Sequence, residues 1–167
     1  LDNIQLVSNQ VDHSSGRDTD GGLNWVVYTN PTEGSSNGIG ADLYTETPVF
    51  SQPSGNYTGS VSVAITSSDA GATIRYTLDG SEPTNGSMLY SGAITINNTS
   101  VLRAISFTST PDRLTSFIET NTYFIDETHY VKIISVCGGD QGGDGVMDLL
   151  NDNLGWGGGD PIGHLEL

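Results

Sequence analysis

The middle of the chain alternates apolar and polar side chains with a period of two residues. The alternation is clearest in the runs 61–65, 74–78, 94–96, 101–107 and 123–125. Side chains two residues apart share one face of a β-strand, so each run predicts a strand with one apolar face. About seven such strands separated by short turns indicate an antiparallel, immunoglobulin-like sandwich. The predicted core consists of Val61, Val63, Ile65, Ile74, Tyr76, Leu78, Ile94, Ile96 and Tyr123.

The pattern divides the chain into three zones, with the sandwich at 42–126 between partial β flanks. The first zone, 1–41, has predicted strands at 3–7 and 24–28, a turn cluster at 16–22 and a linker at 31–38. The last zone, 127–167, has a predicted strand at 130–136, followed by Gly- and Asp-rich sequence with one short helical turn at 146–151. This zone is too short to bury a core of its own. We therefore expect the flanks to be the end of one domain and the start of another.

The charge and composition of the chain argue against several classes of binding partner. The 167 residues include 20 acidic and 5 basic side chains, for a net charge of −15, and Lys132 is the single lysine. Such a chain repels nucleic acid and anionic lipid, so neither is expected as a partner. No apolar run approaches the roughly 18 residues that span a membrane. The single cysteine, Cys137, cannot form a disulfide within the chain.

A calcium site is predicted in the Gly- and Asp-rich zone. Asp140, Asp144 and Asp148 fall at positions 1, 5 and 9 of an EF-hand-like loop. Gly142 at position 3 and Asn151 at position 12 replace two of the usual carboxylates. Oxygen ligands on such a loop suit Ca²⁺. The alternative is a solvated acidic loop.

The segment 78–84 has two interpretations. Asp79 and Glu82 are a candidate cation clamp. Alternatively, the segment is a rigid turn, in which Asp79 accepts hydrogen bonds from its own backbone, Gly80 takes a positive φ and Pro83 fixes φ.

Evidence for catalysis or a cofactor is weak. The three histidines, His13, His129 and His164, have no metal-ligand spacing, and we find no nucleophile elbow or phosphate loop. Cys137 is expected to be a small buried residue. Trp156, in a Gly-rich stretch that offers little cover, is the candidate for stacking against a sugar ring. We predict no enzyme activity, no catalytic residues and no cofactor except calcium.

Several motifs together resemble one family. The stretch 71–84 reads GATIRYTLDGSEPT, followed by SMLY at 87–90 and VLRA at 101–104, and preceded by PVFS at 48–51 and SGNY at 54–57. This order is similar to the chitobiase/β-hexosaminidase C-terminal domain family. The resemblance implies a fibronectin-III-like sandwich that serves as an accessory module beside catalytic or adhesive domains of bacterial secreted proteins, without catalytic residues of its own.

The flanks carry weaker resemblances. The stretches 16–21 and 31–34, with Trp25, are similar to the end of a lamin-tail-like domain. The stretch 127–136 resembles the entry strand of a CotH-like domain, which is related to spore-coat kinases. The kinase residues of such a domain would lie beyond Leu167, so no kinase activity follows for this chain.

These observations predict a non-catalytic extracellular accessory or structural module of a larger bacterial secreted or cell-surface protein. Alternatives are a carbohydrate-binding module of a glycan-degrading enzyme, a subunit of an extracellular filament or adhesin, and a fragment of a hydrolase or kinase. Two exposed aromatic side chains on one sheet face would favour the carbohydrate-binding module. The strands at 4–7 and 130–136 are expected to dock on the sandwich or to pair with a second copy through their free edges.

Overall fold

A computed structural model describes residues 8–19, 22–108, 110 and 112–128. These residues form strands and loops without a helix, which confirms the all-β class. The strands are β1 (Ser14–Arg17), β2 (Trp25–Tyr28), β3 (Leu43–Tyr44), β4 (Val49–Phe50), β5 (Gly55–Tyr57), β6 (Val61–Val63), β7 (Ile65–Thr66), β8 (Thr73–Thr77), β9 (Met88–Leu89), β10 (Ile94–Ile96), β11 (Ser100–Phe107), β12 (Arg113–Leu114) and β13 (Glu119–Ile125). None of these described segments is a helix long and apolar enough to cross a membrane.

The central part of the chain folds into two layers. One layer is a five-stranded sheet in the order β5-β13-β11-β8-β9, in which β5 runs parallel to β13 and the other neighbours are antiparallel. The other layer is built on β6 and β7, which pair with β10 and β4 respectively. Apolar side chains from both layers form one buried cluster.

The predicted core is largely confirmed. Seven of the nine predicted residues are buried, and the other two, Tyr76 and Leu78, are partly buried and pack against the cluster. A register error of one residue would have turned the opposite face of these strands inward. The alternation therefore identified the core face of the strands that carry these nine residues.

The central strand β11 is the exception: the alternating row Val101, Arg103, Ile105 and Phe107 is present in the sequence, but it is not the row that faces the core cluster. Its core-facing residues are Leu102 and Ala104, which are both fully buried. The opposite face is covered as well, because Arg103 is 6% exposed and Ile105 is 8% exposed. A strand that is buried on both faces loses the apolar–polar contrast from which a core face is predicted.

The first zone contains a hairpin that the sequence predicted only in part. The predicted strand at 24–28 is confirmed as β2, whereas the predicted turn cluster at 16–22 is wrong at its start, because Gly16 and Arg17 belong to β1. With no apolar side chain, β1 has no alternation to detect. Gly16 faces Tyr28 so closely that an added Cβ would lie 3.1 Å from the tyrosine Cε2 atom. The predicted strand at 3–7 lies outside the described residues.

The predicted linker then connects this hairpin to the sandwich. Residues 31–38 are exposed and contain no strand. Beyond them Ala41 bridges to Val27, with both backbone N–H···O distances at 2.8 Å.

Tyr44 joins the first zone to the sandwich. Its hydroxyl oxygen accepts a hydrogen bond from the Gln10 backbone at 3.0 Å and lies 2.8 Å from His13 Nδ1. The Gln10 side-chain amide donates to the carbonyls of Thr115 at 3.1 Å and Ser116 at 2.9 Å. The described part of the first zone therefore contacts the sandwich through side chains as well as through the chain itself.

Candidate functional site

The loop between β8 and β9 carries the motif on which the family resemblance rests. Asp79 Oδ1 accepts hydrogen bonds from the backbone N–H of Ser81 at 3.0 Å and from its hydroxyl at 2.5 Å. Gly80 has a φ of 78°, which a residue with a Cβ rarely adopts. The Thr77 hydroxyl donates to the Ser81 carbonyl at 2.6 Å. These contacts match the rigid-turn interpretation of the segment.

The electrostatics of the turn follow from the same contacts. The hydrogen bonds from the Ser81 hydroxyl and N–H stabilise the carboxylate and hold the pKa of Asp79 below its ordinary value. Asp79 is therefore an acceptor for its own turn. In the part of the chain that the structure describes, no group of three or more His, Cys, Asp or Glu side chains is arranged to hold a metal ion.

Two arginines tie the loop to the outer face of the five-stranded sheet. Arg103 Nη1 donates to the Gly80 carbonyl at 3.1 Å, and Arg75 Nη1 donates to the Ser87 carbonyl at 2.9 Å. The two strands that carry them are neighbours, with Arg103 opposite Thr77. The loop is thus held near its start by one guanidinium and near its end by the other.

These arginines were not predicted to have a role. A charged residue within a row of apolar residues, Val101, Ile105 and Phe107, was the available signal. Such a row predicts a covered face, and a buried guanidinium needs an acceptor. The Nε atoms of Arg75 and Arg103 are buried and find no hydrogen-bond partner in the described part of the chain, where each guanidinium is therefore only partly satisfied.

The far end of the loop is a tight turn beside an edge strand. Ser87 N–H donates to the Thr84 carbonyl at 3.0 Å, and Thr84 N–H donates to the Ser87 hydroxyl at 2.8 Å. Among the described strands, the following strand β9 has one neighbour, β8, and its side chains Met88 and Leu89 are 48% and 54% exposed. The loop therefore ends on an exposed apolar edge.

Trp25 is the one exposed aromatic side chain among the described residues. It is 40% exposed, and the Arg17 guanidinium lies 5.5 Å from the centre of its ring. At the end of the same hairpin the Asn24 amide donates to the Asp18 carboxylate at 3.0 Å. The other aromatic side chains that the structure describes are buried or partly buried, as expected for strand residues.

Most of the other predicted site residues lie outside the described part of the chain. The calcium ligands Asp140, Asp144 and Asp148 lie there, as does the sugar-stacking residue Trp156. Cys137, His129 and His164 are also outside it. The remaining histidine, His13, contacts Tyr44 as described above.

Comparison with known families gives a match for the central segment of the chain. Residues 52–117 match the Chitobiase/beta-hexosaminidase C-terminal domain family. The resemblance predicted from the motifs is therefore confirmed for this segment. It does not extend to the flanks, where the lamin-tail-like and CotH-like resemblances stay predictions. No curated protein matches the chain.

The sandwich continues past both ends of the match. Strand β4 lies before residue 52, and β13 lies after residue 117. Strand β13 pairs with both β11 and β5 and contributes Tyr123 and Ile125 to the core cluster. The sandwich that contains the matched segment therefore needs the strand at Glu119–Ile125 to complete its core.

Proposed function

We propose that this chain is a non-catalytic accessory module of a larger bacterial secreted or cell-surface protein, where it positions neighbouring domains. The family match at 52–117 supports an accessory role. The observation that carries the proposal is that the polar side chains of the family motif form hydrogen bonds within the loop itself. Asp79 and Thr77 bond to Ser81, while Arg75 and Arg103 bond to loop carbonyls.

The distribution of charge supports the same role. The chain has four arginines, and each one is engaged within the fold. Arg17 lies over Trp25, Arg113 forms an ion pair with Asp69 at 2.7 Å, and the other two hold the loop. The surface of the described residues is consequently dominated by acidic side chains, which suits a module that stays soluble outside the cell and avoids anionic partners.

The competing proposal is a carbohydrate-binding module, for which the exposed Trp25 is the supporting observation. An aromatic ring and neighbouring polar groups are the usual elements of a sugar site. However, the Arg17 guanidinium already lies over this ring, and the described residues offer no second exposed aromatic on the same sheet face. We therefore favour the structural role.

Affinity electrophoresis of the full chain in gels with and without soluble polysaccharides separates the two proposals. The structural role predicts the same mobility in chitin-derived, cellulose-derived and plain gels. Retardation that is lost in Trp25→Ala and retained in Leu43→Ala, which removes an exposed aliphatic side chain, would establish carbohydrate binding and overturn the structural proposal.

A filament or adhesin subunit remains the other alternative, and strand edges would carry its contacts. Strand β9 is an open edge, but it is only two residues long. Very short edge strands are one way in which proteins avoid edge-to-edge association. We expect light scattering to give a monomer at high protein concentration, and a mass that rises with concentration would favour assembly.

A further inference from the structure

The sequence contains two Asn-Gly pairs, Asn37–Gly38 and Asn85–Gly86, and the fold treats them differently. Both asparagines are exposed. The Asn37 side chain is held, because its Oδ1 accepts a hydrogen bond from the Thr32 hydroxyl at 3.0 Å. The Asn85 side chain makes no hydrogen bond to any described residue. We propose that Asn85–Gly86 is a site of spontaneous deamidation, at which the folded loop is slowly and covalently modified.

The reaction needs no enzyme and only water as a co-reactant. The Gly86 backbone nitrogen, after losing its proton, attacks Asn85 Cγ, and a new N–Cγ bond closes a succinimide ring. The Cγ–Nδ2 bond breaks, and the nitrogen takes up a proton and leaves as ammonia. Water then opens the ring at Cγ to give aspartate, or at the backbone carbonyl to give isoaspartate. The net change replaces the amide with a carboxylate and releases ammonia.

The surroundings of Gly86 leave the attacking nitrogen accessible. Its one hydrogen bond is to the Thr84 hydroxyl, at 3.2 Å. Glycine adds no side chain to shield it, and a Cβ at this position would meet only Thr84 Oγ1, at 3.7 Å. Asp79–Gly80, in the same loop, is the contrasting case. Gly80 N–H donates to the Val101 carbonyl, and the Asp79 carboxylate is bonded to Ser81.

The modification would change the backbone next to the hydrogen bond between Arg75 and the Ser87 carbonyl. Isoaspartate adds a methylene to the main chain within the turn closed by the Ser87 N–H and the Thr84 carbonyl. The Ser87 carbonyl is the acceptor for Arg75. Both products therefore add a negative charge, and the isoaspartate product also lengthens the segment that Arg75 holds through the Ser87 carbonyl.

Peptide mapping by mass spectrometry tests this on the full chain, incubated for weeks at mildly alkaline pH. In the folded chain we expect Asn85 to convert several-fold faster than Asn37. In denaturant the two rates should converge, because the fold no longer distinguishes the pairs. Equal rates in the folded chain, faster conversion at Asn37, or a preference for Asn85 that persists in denaturant would overturn the proposal.

Two glycine variants provide matched controls. Gly86→Ala and Gly38→Ala both place a Cβ where it meets no atom closer than ordinary contact, and neither glycine has a left-handed φ. Gly86→Ala should slow conversion at Asn85 several-fold and leave Asn37 unchanged, while Gly38→Ala should leave the rate at Asn85 unchanged. Conversion at Asn85 that is insensitive to Gly86→Ala would contradict attack by the Gly86 nitrogen.

Discussion

Two buried serines differ in whether their hydroxyl groups form hydrogen bonds. This difference predicts how alanine substitutions change the free energy of unfolding. Ser106, in β11, and Ser116, after β12, are both fully buried. Ser116 Oγ accepts a hydrogen bond from Ser106 N–H at 2.8 Å and donates one to the Phe117 carbonyl at 2.7 Å. The hydroxyl of Ser106 has no hydrogen-bond partner among the described residues. One hydroxyl stabilises the connection between β11 and β13, while the other is buried without compensation.

The two alanine variants should therefore differ in sign or size. Ser116→Ala leaves a buried N–H without its partner, which costs about 1–3 kcal/mol. Ser106→Ala removes an unsatisfied polar atom, so its effect should lie between about 0 and 1 kcal/mol of stabilisation. At about 4–8 °C per kcal/mol for a domain of 60–100 residues, Ser116→Ala should lower the melting temperature by about 4–24 °C.

Urea denaturation followed by circular dichroism measures both free energies of unfolding. The dependence on urea should be the same in both variants, because the surface exposed on unfolding hardly changes. The reasoning is refuted if Ser116→Ala is as stable as the parent chain, or if Ser106→Ala loses as much stability as Ser116→Ala.

Three further predictions concern single side chains. Burial raises the pKa of Glu119, so its charged form opposes folding above its unfolded pKa; Glu119→Gln should raise the melting temperature at pH 7 and lose this advantage near pH 4. Ser81→Ala should raise the pKa of Asp79 toward its ordinary value, because the largest cause of its depression is removed; a carboxyl NMR titration that finds no change would contradict this. The depressed pKa also means that the stability contributed by Asp79 is present above its unfolded pKa and is lost as the pH falls through the folded pKa. Tyr44→Phe should cost about 1 kcal/mol and alter the fluorescence of Trp25, because the hydroxyl bonds the segment that leads into its hairpin; unchanged fluorescence and stability would show that this contact is weak.

The part of the fold that could be predicted is the part with one apolar face per strand. In β6 and β10 the buried residues alternate with exposed ones, Ser62 and Thr95. Their register follows directly, because only one face can turn inward. The turn at Asp79–Gly80 was also predictable, because its residue types have few other conformational uses.

Strand β1 and the contacts between the arginines and the loop could not be predicted from the sequence, for physical reasons. Strand β1 forms through backbone pairing with β2 and the close approach of Gly16 to Tyr28, and neither leaves a hydrophobic pattern. Arg103 is covered by a loop that precedes it by more than twenty residues, a non-local contact that no period along the strand encodes. The motif was recognisable as a sequence, but its role in fastening the loop required the positions of Gly80 and Ser87.

Our central proposal is that residues 42–126 contribute to the longer protein by positioning its neighbouring domains and not by binding. It is tested most directly by replacing residues 42–126 within the longer protein with an unrelated fibronectin-type sandwich of similar length. The account predicts that the activity of the neighbouring domains and the attachment of the protein to its surface or polymer are unchanged by the exchange. Loss of attachment with full activity of the neighbouring domains would contradict the account and assign a binding role to this module.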